Sequence, residues 1–309
     1  MRRTCLNCVY DLAKRDERVV FVGSDLGPGV LDDMKKDFPD RWFMEGVAEQ
    51  HVVGMAAGLA MEGFIPYVNT IATFLSRRCY EQIVLDLCLH QLPVRLIANG
   101  GGVVYAPLGP THLATEDIAI LRCVPNMTIV APCDADEMSR LMTASLDWPN
   151  PIYVRVAKGG DEIVSRDGNG FSLGKAILMR EPGKVLFVTT GVMTQRALMA
   201  AEVLAIQGIQ AGVLHMHTIK PIDQQALRDL SAEVKLIVTV EEHALTGGFG
   251  SLILETLNDS DAKGRPRVVR MGLPDVFAPE YGSQDSLLKT WGLDADSLVA
   301  CVRNAMSGV

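Results

Sequence analysis

Residues 46–87 read GVAEQHVVGMAAGLAMEGFIPYVNTIATFLSRRCYEQIVLDL and predict a strand between two helices. Apolar residues recur with helical spacing in 48–61 and again in 75–89, whereas 65–72 is rich in apolar and β-branched residues. A buried strand of this kind with a helix on either side is typical of a parallel sheet covered on both faces. The stretch therefore predicts an α/β fold.

The same alternation continues in both directions along the chain. Further strand candidates fall at 19–22, 94–98, 127–131, 152–156, 185–190, 211–217, 236–240 and 268–271. Further helix candidates fall at 134–146, 194–206 and 295–306. Residues 158–174, KGGDEIVSRDGNGFSLG, are polar and glycine-rich, which is typical of a linker or a surface excursion. The sequence thus predicts two α/β domains with largely parallel sheets, the first at 1–160 and the second at 175–309.

The composition narrows the class of protein. Of the 309 residues, 48% are hydrophobic and 21% are charged, as in soluble globular proteins. The formal net charge of −8 argues against nucleic-acid binding and against a polybasic membrane contact. The N-terminal stretch lacks the apolar core of a signal peptide, and no segment approaches the ~18 uninterrupted apolar residues of a membrane span. We therefore expect a cytoplasmic protein.

Seven cysteines are scattered through the chain, and this odd number fits reduced thiols better than a disulfide framework. Cys5 and Cys8 form a C-x-x-C pair on a helix-like segment. No second pair follows to complete the four ligands of a zinc site. We therefore favour a structural role for the pair and assign no metal ligand to this chain.

Glu49 opens a helix that is unusually thin. The helix contains small residues that allow close backbone approach, which suggests a crowded interior or an interface: Gly54, Ala56, Ala57, Gly58 and Ala60. An acidic residue in a first turn is ordinarily favoured by the helix dipole. The apolar neighbours of Glu49 favour a second interpretation, a carboxylate that is at least partly buried.

Three further segments could carry chemistry. Residues 73–86 place arginines where a strand passes into a helix, the edge at which ligands collect in parallel sheets, although a solvated basic turn is equally compatible. Residues 98–116, ANGGGVVYAPLGPTHLATE, describe a long structured loop, in which His112 is a candidate for hydrogen bonding a substrate. The glycines of 239–250, TVEEHALTGGFG, could cradle a phosphate, but a tight packing turn is favoured.

Taken together, the motifs resemble one family. They follow the order found in transketolases and in 1-deoxyxylulose-phosphate synthases: GVAEQH at 46–51, TFLSRRCYEQ at 73–82, PLGPTHLATEDIA at 107–119, LRCVPNMTIVAPCDADE at 121–137, EEHALTGGFGS at 241–251 and YGSQDSLLKTWGLDADSL at 281–298. The similarity extends over nearly the whole chain. It implies the α/β architecture predicted above and an enzyme that uses thiamine diphosphate.

The resemblance also implies roles for single residues. Glu49 would hydrogen-bond the aminopyrimidine ring of thiamine diphosphate and promote its imino tautomer, for which a carboxyl in a dry pocket is suited. His112 would contact the hydroxyl groups of the substrate. Four more residues would lie against the cofactor, two aromatic ones on the pyrimidine and two after the first strand: Phe74, Tyr80, Asp25 and Leu26.

Some positions depart from the transketolase pattern. Leu108 stands where an aspartate normally reads the stereochemistry of a sugar hydroxyl, and Gly29 and Gly100 replace a serine and a histidine that help to hold a sugar phosphate. Arg77 and Arg155 resemble the phosphate-binding arginines of deoxyxylulose-phosphate synthases. The substrate is therefore a sugar, either phosphorylated or not, and these arginines are candidates for an anion site.

One motif of the family is missing. Thiamine enzymes hold Mg²⁺ and the diphosphate through G-D-G and a later asparagine, which suits oxygen-ligand magnesium chemistry. This sequence has no G-D-G; its nearest strings are GGD at 159–161 and RDGNG at 166–170. The resemblance therefore implies a partner, an N-terminal transketolase subunit that carries G-D-G…N and contributes most of the Mg²⁺ site. It also implies an α2β2 heterotetramer.

Two functions other than that of a split transketolase are compatible with these motifs. The β subunit of a 2-oxo acid dehydrogenase E1 has the same two domains, although G-P-T-H and E-D-I-A-I-L-R favour a split transketolase. A non-catalytic scaffold that only dimerises or regulates is the other. The presence of both Glu49 and His112 argues against the scaffold.

Overall fold

Two β-sheets organise this computed structural model, which describes residues 1–24, 29–259 and 266–307. The strands are β1 Val19–Gly23, β2 Trp42–Met44, β3 Ile65–Ile71, β4 Arg95–Asn99, β5 Thr128–Val130, β6 Ile152–Val156, β7 Ile177–Arg180, β8 Val185–Thr189, β9 Ala211–His215, β10 Thr218–Lys220, β11 Leu236–Ala244 and β12 Arg267–Leu273. The first sheet has the order β10-β5-β6-β4-β3-β1-β2 and the second β12-β11-β8-β9-β7.

Helices cover both sheets. They are α1 Arg2–Arg15, α2 Asp32–Asp37, α3 Glu49–Met61, α4 Tyr80–Gln82, α5 Asp117–Arg122, α6 Ala135–Ser145, α7 Met193–Ile206, α8 Gln224–Ser231, α9 Phe249–Asn258, α10 Gln284–Thr290 and α11 Ala295–Ser307. Short 3₁₀ turns lie at Pro39–Arg41, Ala106–Leu108, Pro110–His112 and Asp167–Asn169. Within the described ranges no helix is both long and apolar enough to cross a bilayer.

The prediction of two α/β units with largely parallel sheets is confirmed. Within each sheet the central strands pair in parallel and are buried along their whole length, as for β3 and β4. Antiparallel pairing occurs where β7 meets β9 and where β10 meets β5. These short edge strands lie in stretches that the apolar pattern did not single out as strands.

Strand β10 joins the two units. It comes from the second half of the chain but completes the edge of the first sheet against β5. The crossing is fixed by backbone hydrogen bonds, in which Ala131 N donates to His217 O at 2.7 Å and Gly191 N donates to Ala131 O at 3.1 Å. The segment 158–174, predicted as a linker or a surface excursion, is anchored to the first unit. The Asp134 carboxylate accepts hydrogen bonds from the backbone N–H groups of Val164 and Ser165.

The helix predicted over 75–89 departs from regular α geometry. Its ends are π-helical, at Phe74–Arg78 and Ile83–Leu89, and only α4 between them is an α-helix. A π-turn fits an extra residue into the helix and is frequent at functional sites. Here the first π-turn follows the carboxyl end of β3 and carries the aromatic and basic residues of the TFLSRR motif.

Helix α3 has one face in the core and one face open. Its buried residues pack against the first sheet: Glu49, Val52, Val53, Ala56, Ala57 and Ala60. A Cβ added at Gly54 or Gly58 would meet no atom within 4 Å. The small residues therefore leave a surface into which another chain could pack closely.

Candidate functional site

Glu49 is the first residue of α3, and its side chain is only 1% exposed. The chain enters the helix through a turn at Gly46, whose φ of +74° favours glycine and whose N–H donates to Ser24 O. The Glu49 carboxylate therefore lies in the positive field of a helix N-terminus. Its Oε2 accepts a hydrogen bond from Nη1 of Arg78 at 2.5 Å. The carboxylate is thus both buried and paired.

Arg78 connects Glu49 to the predicted substrate residue. Its guanidinium carbon lies 4.6 Å from the centroid of the Phe74 ring. The Phe74 ring in turn contacts the His112 ring edge-on, with centroids 5.3 Å apart. Nδ1 of His112 lies 2.9 Å from Oγ1 of Thr111. The structure therefore brings Glu49, Phe74 and His112 into one group.

The sequence analysis assigns no functional role to Arg78. Arg77 and Arg78 are adjacent in the TFLSRR motif, and the resemblance to deoxyxylulose-phosphate synthases implies a role for Arg77 alone. The two arginines have different partners, since Arg78 pairs with Glu49 whereas Arg77 donates to Leu113 O in the 98–116 loop. The sequence contains one signal for Arg78. The motif has a second arginine, and the apolar neighbours of Glu49 suggest a buried carboxylate with which that arginine could pair.

The other predicted cofactor residues are less closely grouped. Tyr80 is partly buried against the core, and its hydroxyl lies 3.6 Å from Sγ of Cys123. That hydrogen bond, together with burial, raises the pKa of Tyr80. Asp25 and Leu26 lie outside the described residues.

Arg77 points away from Glu49 toward the 98–116 loop. Its Nε and Nη2 both donate to the Glu116 carboxylate, and Nη2 also donates to Leu113 O at 3.0 Å. Burial favours the neutral form of Glu116, but the hydrogen bonds from Arg77 outweigh it and lower the pKa of that carboxyl. The Arg77 side chain is still 38% exposed. A substrate anion would have to compete with Glu116 for it.

Arg155 is buried beneath the same loop. Its Nε donates to Oδ2 of Asp117 at 2.8 Å, and its Nη2 donates to the carbonyl oxygens of Ala114 and Glu242. Burial alone would lower the pKa of Arg155, but the charge of Asp117 outweighs it and raises that pKa. The two predicted anion-binding arginines therefore hold consecutive carboxylates, and the structure does not bring them around one open space.

Glycines fix the loop closely against its neighbours. Gly100 has a φ of +81°, and a Cβ there would lie 2.2 Å from the Tyr105 ring. Gly109 has a φ of +77°, and a Cβ there would lie 2.6 Å from the Tyr281 ring. A residue with a side chain could not keep this backbone conformation and packing. The loop is therefore structured, and it presents His112 and Leu108 at its tip.

The turn at 241–251 is a packing turn in this structure. The Glu241 carboxylate accepts from the backbone N–H groups of Phe249 and Gly250, at 2.6 and 2.8 Å. These are the donors at the start of α9 that a phosphate would require. The phosphate-cradle alternative for this turn is therefore disfavoured.

Two protein-family profiles match this chain and establish its family. The profile described as transketolase, pyrimidine binding domain, matches residues 1–160, and the profile described as transketolase, C-terminal domain, matches residues 174–298. The chain belongs to the transketolase family. The resemblance indicated by the sequence motifs is thereby confirmed.

Curated relatives of this transketolase-family chain are of two lengths. A transketolase family protein of Sinorhizobium fredii is 40% identical over 296 residues, 94% of this chain and 85% of that protein. One of the subunits of an apulose-4-phosphate transketolase, from Phocaeicola vulgatus, is 36% identical over 300 residues, 96% and 94% of the two chains. A 1-deoxy-D-xylulose-5-phosphate synthase of Caldanaerobacter subterraneus is 38% identical over 291 residues, 93% of this chain. This chain spans 46% of that synthase's length.

Solved structures agree. A split gene transketolase described as an inactive beta4 tetramer superposes with a TM-score of 0.88 at 33% identity, over 99% of this chain and 97% of that chain. A transketolase of Campylobacter jejuni superposes with a TM-score of 0.78 at 18% identity, over 97% of this chain and 46% of that chain. The second match shows a shared fold alone, whereas the first also matches this chain in length.

Proposed function

We propose that this chain is the pyrimidine-binding and C-terminal subunit of a two-component transketolase, which moves a two-carbon ketol unit from a ketose to an aldose. The observation that carries the proposal is the buried carboxylate of Glu49 at the start of α3, grouped with Phe74 and His112. The relative from Phocaeicola vulgatus, named as one subunit of a transketolase, matches nearly the whole chain and supports the same role.

The residues around Glu49 fit thiamine diphosphate. A carboxylate that is 1% exposed can share a proton with a heterocyclic nitrogen, and the partly exposed Phe74 ring offers an apolar face to an aromatic ring. When bound, thiamine diphosphate supplies the carbon nucleophile that accepts the ketol unit. Glu49 would hold the exchangeable proton, and Tyr80, Asp25 and Leu26 remain proposed cofactor contacts.

Arg78 has to release Glu49 before that proton can be shared. The Arg78 guanidinium already occupies Oε2 of that carboxylate. Arg78 is partly exposed and can move toward solvent, whereas Glu49 is fixed in the first turn of α3. We therefore infer that Arg78 would move off the Glu49 carboxylate when the cofactor is bound, which would leave that carboxylate free for its proposed role.

His112 is the proposed substrate contact. Thr111 occupies its Nδ1, which leaves Nε2 to hydrogen-bond a sugar hydroxyl. Arg77 is the proposed anion contact because its guanidinium is partly exposed and could exchange Glu116 for a phosphate. Arg155, the second proposed anion residue, could be reached only if the loop above it moved, because its Nε and Nη2 are engaged.

We propose a separate partner for the diphosphate. The sequence has no G-D-G, so Mg²⁺ and the diphosphate would be held mainly by an N-terminal transketolase subunit that carries G-D-G…N. The open face of α3 at Gly54 and Gly58 is suited to a close helix contact in an α2β2 assembly. The split gene relative, described as an inactive beta4 tetramer, supports inactivity of the chain without its partner.

The test reconstitutes the chain with a separately expressed transketolase subunit that carries G-D-G…N. Ketol transfer from a ketose should appear on mixing and should fall by ~10²–10⁴-fold in Glu49→Gln, because an amide cannot exchange a proton with a ring nitrogen. Glu45→Gln is the matched control, since Glu45 is an exposed carboxylate just before α3. Preferential use of a 2-oxo acid as donor would favour the E1 β alternative, and full activity of Glu49→Gln would favour the scaffold.

A further inference from the structure

A cluster of buried side chains joins the two units and has no part in the mechanism proposed above. Cys133 precedes α6, Glu137 lies in α6, and His215 ends β9. The Cys133 sulfur, a Glu137 carboxylate oxygen and a His215 ring nitrogen all lie within 4.8 Å of one another. All three side chains are 0% exposed. A thiol, a carboxylate and an imidazole therefore converge in a dry interior.

A contact at each ring nitrogen orients the imidazole of His215. Its Nδ1 lies 2.8 Å from Oγ1 of Thr194, and its Nε2 lies 2.8 Å from Oε2 of Glu137. A hydrogen bond that fixes one ring nitrogen and directs the other inward is the usual support of a metal-binding histidine. Oε2 of Glu137 is itself held by the backbone N–H of Cys133 at 2.6 Å. The donor atoms are thus positioned by their surroundings.

One polar atom of this cluster and one of a neighbouring histidine have no hydrogen-bond partner among the described residues. They are Oε1 of Glu137 and Nε2 of His217, and both are fully buried. The His217 ring lies 5.9 Å from the His215 ring, centroid to centroid, and stacks on Phe171. Buried polar atoms without partners are rare in native proteins and are often explained by a bound water or ion.

We propose that Cys133, Glu137 and His215 bind a divalent transition-metal ion, with a water in the fourth position. Zn²⁺ takes thiolate, imidazole and carboxylate ligands in tetrahedral sites, whereas Mg²⁺ prefers oxygen ligands throughout. The ion is therefore chemically distinct from the Mg²⁺ proposed for the partner. Its binding replaces the Glu137–His215 hydrogen bond and releases the thiol proton of Cys133 to solvent.

The position of the cluster gives the ion a structural role. Cys133 and Glu137 belong to the first sheet's unit, whereas His215 and His217 belong to the stretch that crosses back as β10. Gln195 already bridges the units by donating to Cys133 O at 2.8 Å. A metal here clamps the second unit onto the first beside the shared sheet edge. The ligands come from separate parts of the sequence, so no short spacing motif predicts this site.

The first test measures metal in the purified full-length chain, without partner or cofactor. We expect close to one zinc per chain after dialysis, and at least a ~10-fold lower content in Cys133→Ser and in His215→Gln. Cys88→Ser is the matched control, because Cys88 is a similarly buried thiol in the core of the first unit. It should keep the wild-type zinc content.

Cobalt provides a readout that does not depend on the purification. Chain refolded with Co²⁺ should show a cobalt–thiolate charge-transfer band, which Cys133→Ser loses and Cys88→Ser retains. Thr194→Val should bind zinc ~10-fold more weakly while it remains folded, because only the orienting hydrogen bond is removed. A metal-free wild type that also gives no band with Co²⁺ overturns the proposal, as does equal zinc in wild type and Cys133→Ser. Neither result bears on ketol transfer.

Discussion

Nη1 of Arg78 lies 2.5 Å from Oε2 of Glu49, so a partly exposed guanidinium caps a carboxylate that is almost completely buried. A charged group in such a position is tolerated because it is paired and lies at a helix N-terminus. The pair connects stability with the proposed chemistry, since Arg78 occupies the carboxylate that we propose to contact the cofactor.

Arg78→Ala should therefore destabilise the free chain. Removing one partner leaves Glu49 buried without its strongest donor, which should cost about 1–3 kcal/mol in the free energy of unfolding. In the Glu49→Gln background the same substitution should cost much less, because no buried charge is left behind. Urea denaturation of the four proteins of this double-mutant cycle measures the coupling. Additive effects of the two substitutions would contradict the pairing.

Arg77 should determine the preference for phosphorylated sugars. Arg77→Ala should raise KM for phosphorylated donors by ~10–100-fold and leave unphosphorylated donors unaffected, since charged hydrogen bonds to phosphate contribute about 1.5–3 kcal/mol. Glu116→Gln removes the internal competitor and should lower KM for the same donors. Steady-state kinetics of the reconstituted complex decides this. If neither variant changes the preference, Arg77 is not the anion contact.

Arg155 should make a large contribution to stability. Arg155→Met leaves the buried Asp117 carboxylate without its guanidinium partner, although the Tyr153 hydroxyl still donates to it, which should cost about 3–5 kcal/mol in the free energy of unfolding. The loss should be partly recovered in Arg155→Met with Asp117→Asn, because the second substitution removes the stranded charge. Urea titration of both variants provides the values. A stable Arg155→Met chain with weakened binding of phosphorylated substrates would instead support direct contact with an anion.

Glu241 should make the chain less stable as the pH rises toward neutrality. Burial raises its pKa from 4.5 to about 7, despite backbone donors at the start of α9 and the nearby charges of Arg270 and Arg155; His243 also faces it. Between these two pH values the folded chain holds a proton that the unfolded chain has lost, so stability falls as the pH increases. Glu241→Gln should remove this part of the pH dependence. Parallel pH profiles for the two proteins would contradict the assignment.

The sequence predicts the central elements well for a physical reason. Strands such as β1 and β8 are buried along their whole length, so their residues are mostly apolar and β-branched. Edge strands β7 and β10 are short and partly exposed, so their composition carries little signal. The crossing of β10 to the first sheet depends on tertiary pairing, which no local pattern encodes.

The candidate site is predictable only in part, for a similar reason. Glu49 and His112 stand out because one opens an apolar helix and the other lies in a glycine-framed loop. The partner of Glu49 depends on tertiary contacts, which pair Arg78 with Glu49 and Arg77 with Glu116. Neither the burial of Arg155 nor its pairing with Asp117 follows from sequence spacing, because these residues meet only through the sheet.

The central claim is that this chain holds half of a cofactor site. Calorimetric titration of thiamine diphosphate with Mg²⁺ tests it most directly, first into the chain alone and then into an equimolar mixture with the G-D-G…N subunit. We expect no micromolar binding to the chain alone and micromolar, Mg²⁺-dependent binding to the mixture. Micromolar, Mg²⁺-dependent binding to this chain by itself would contradict it.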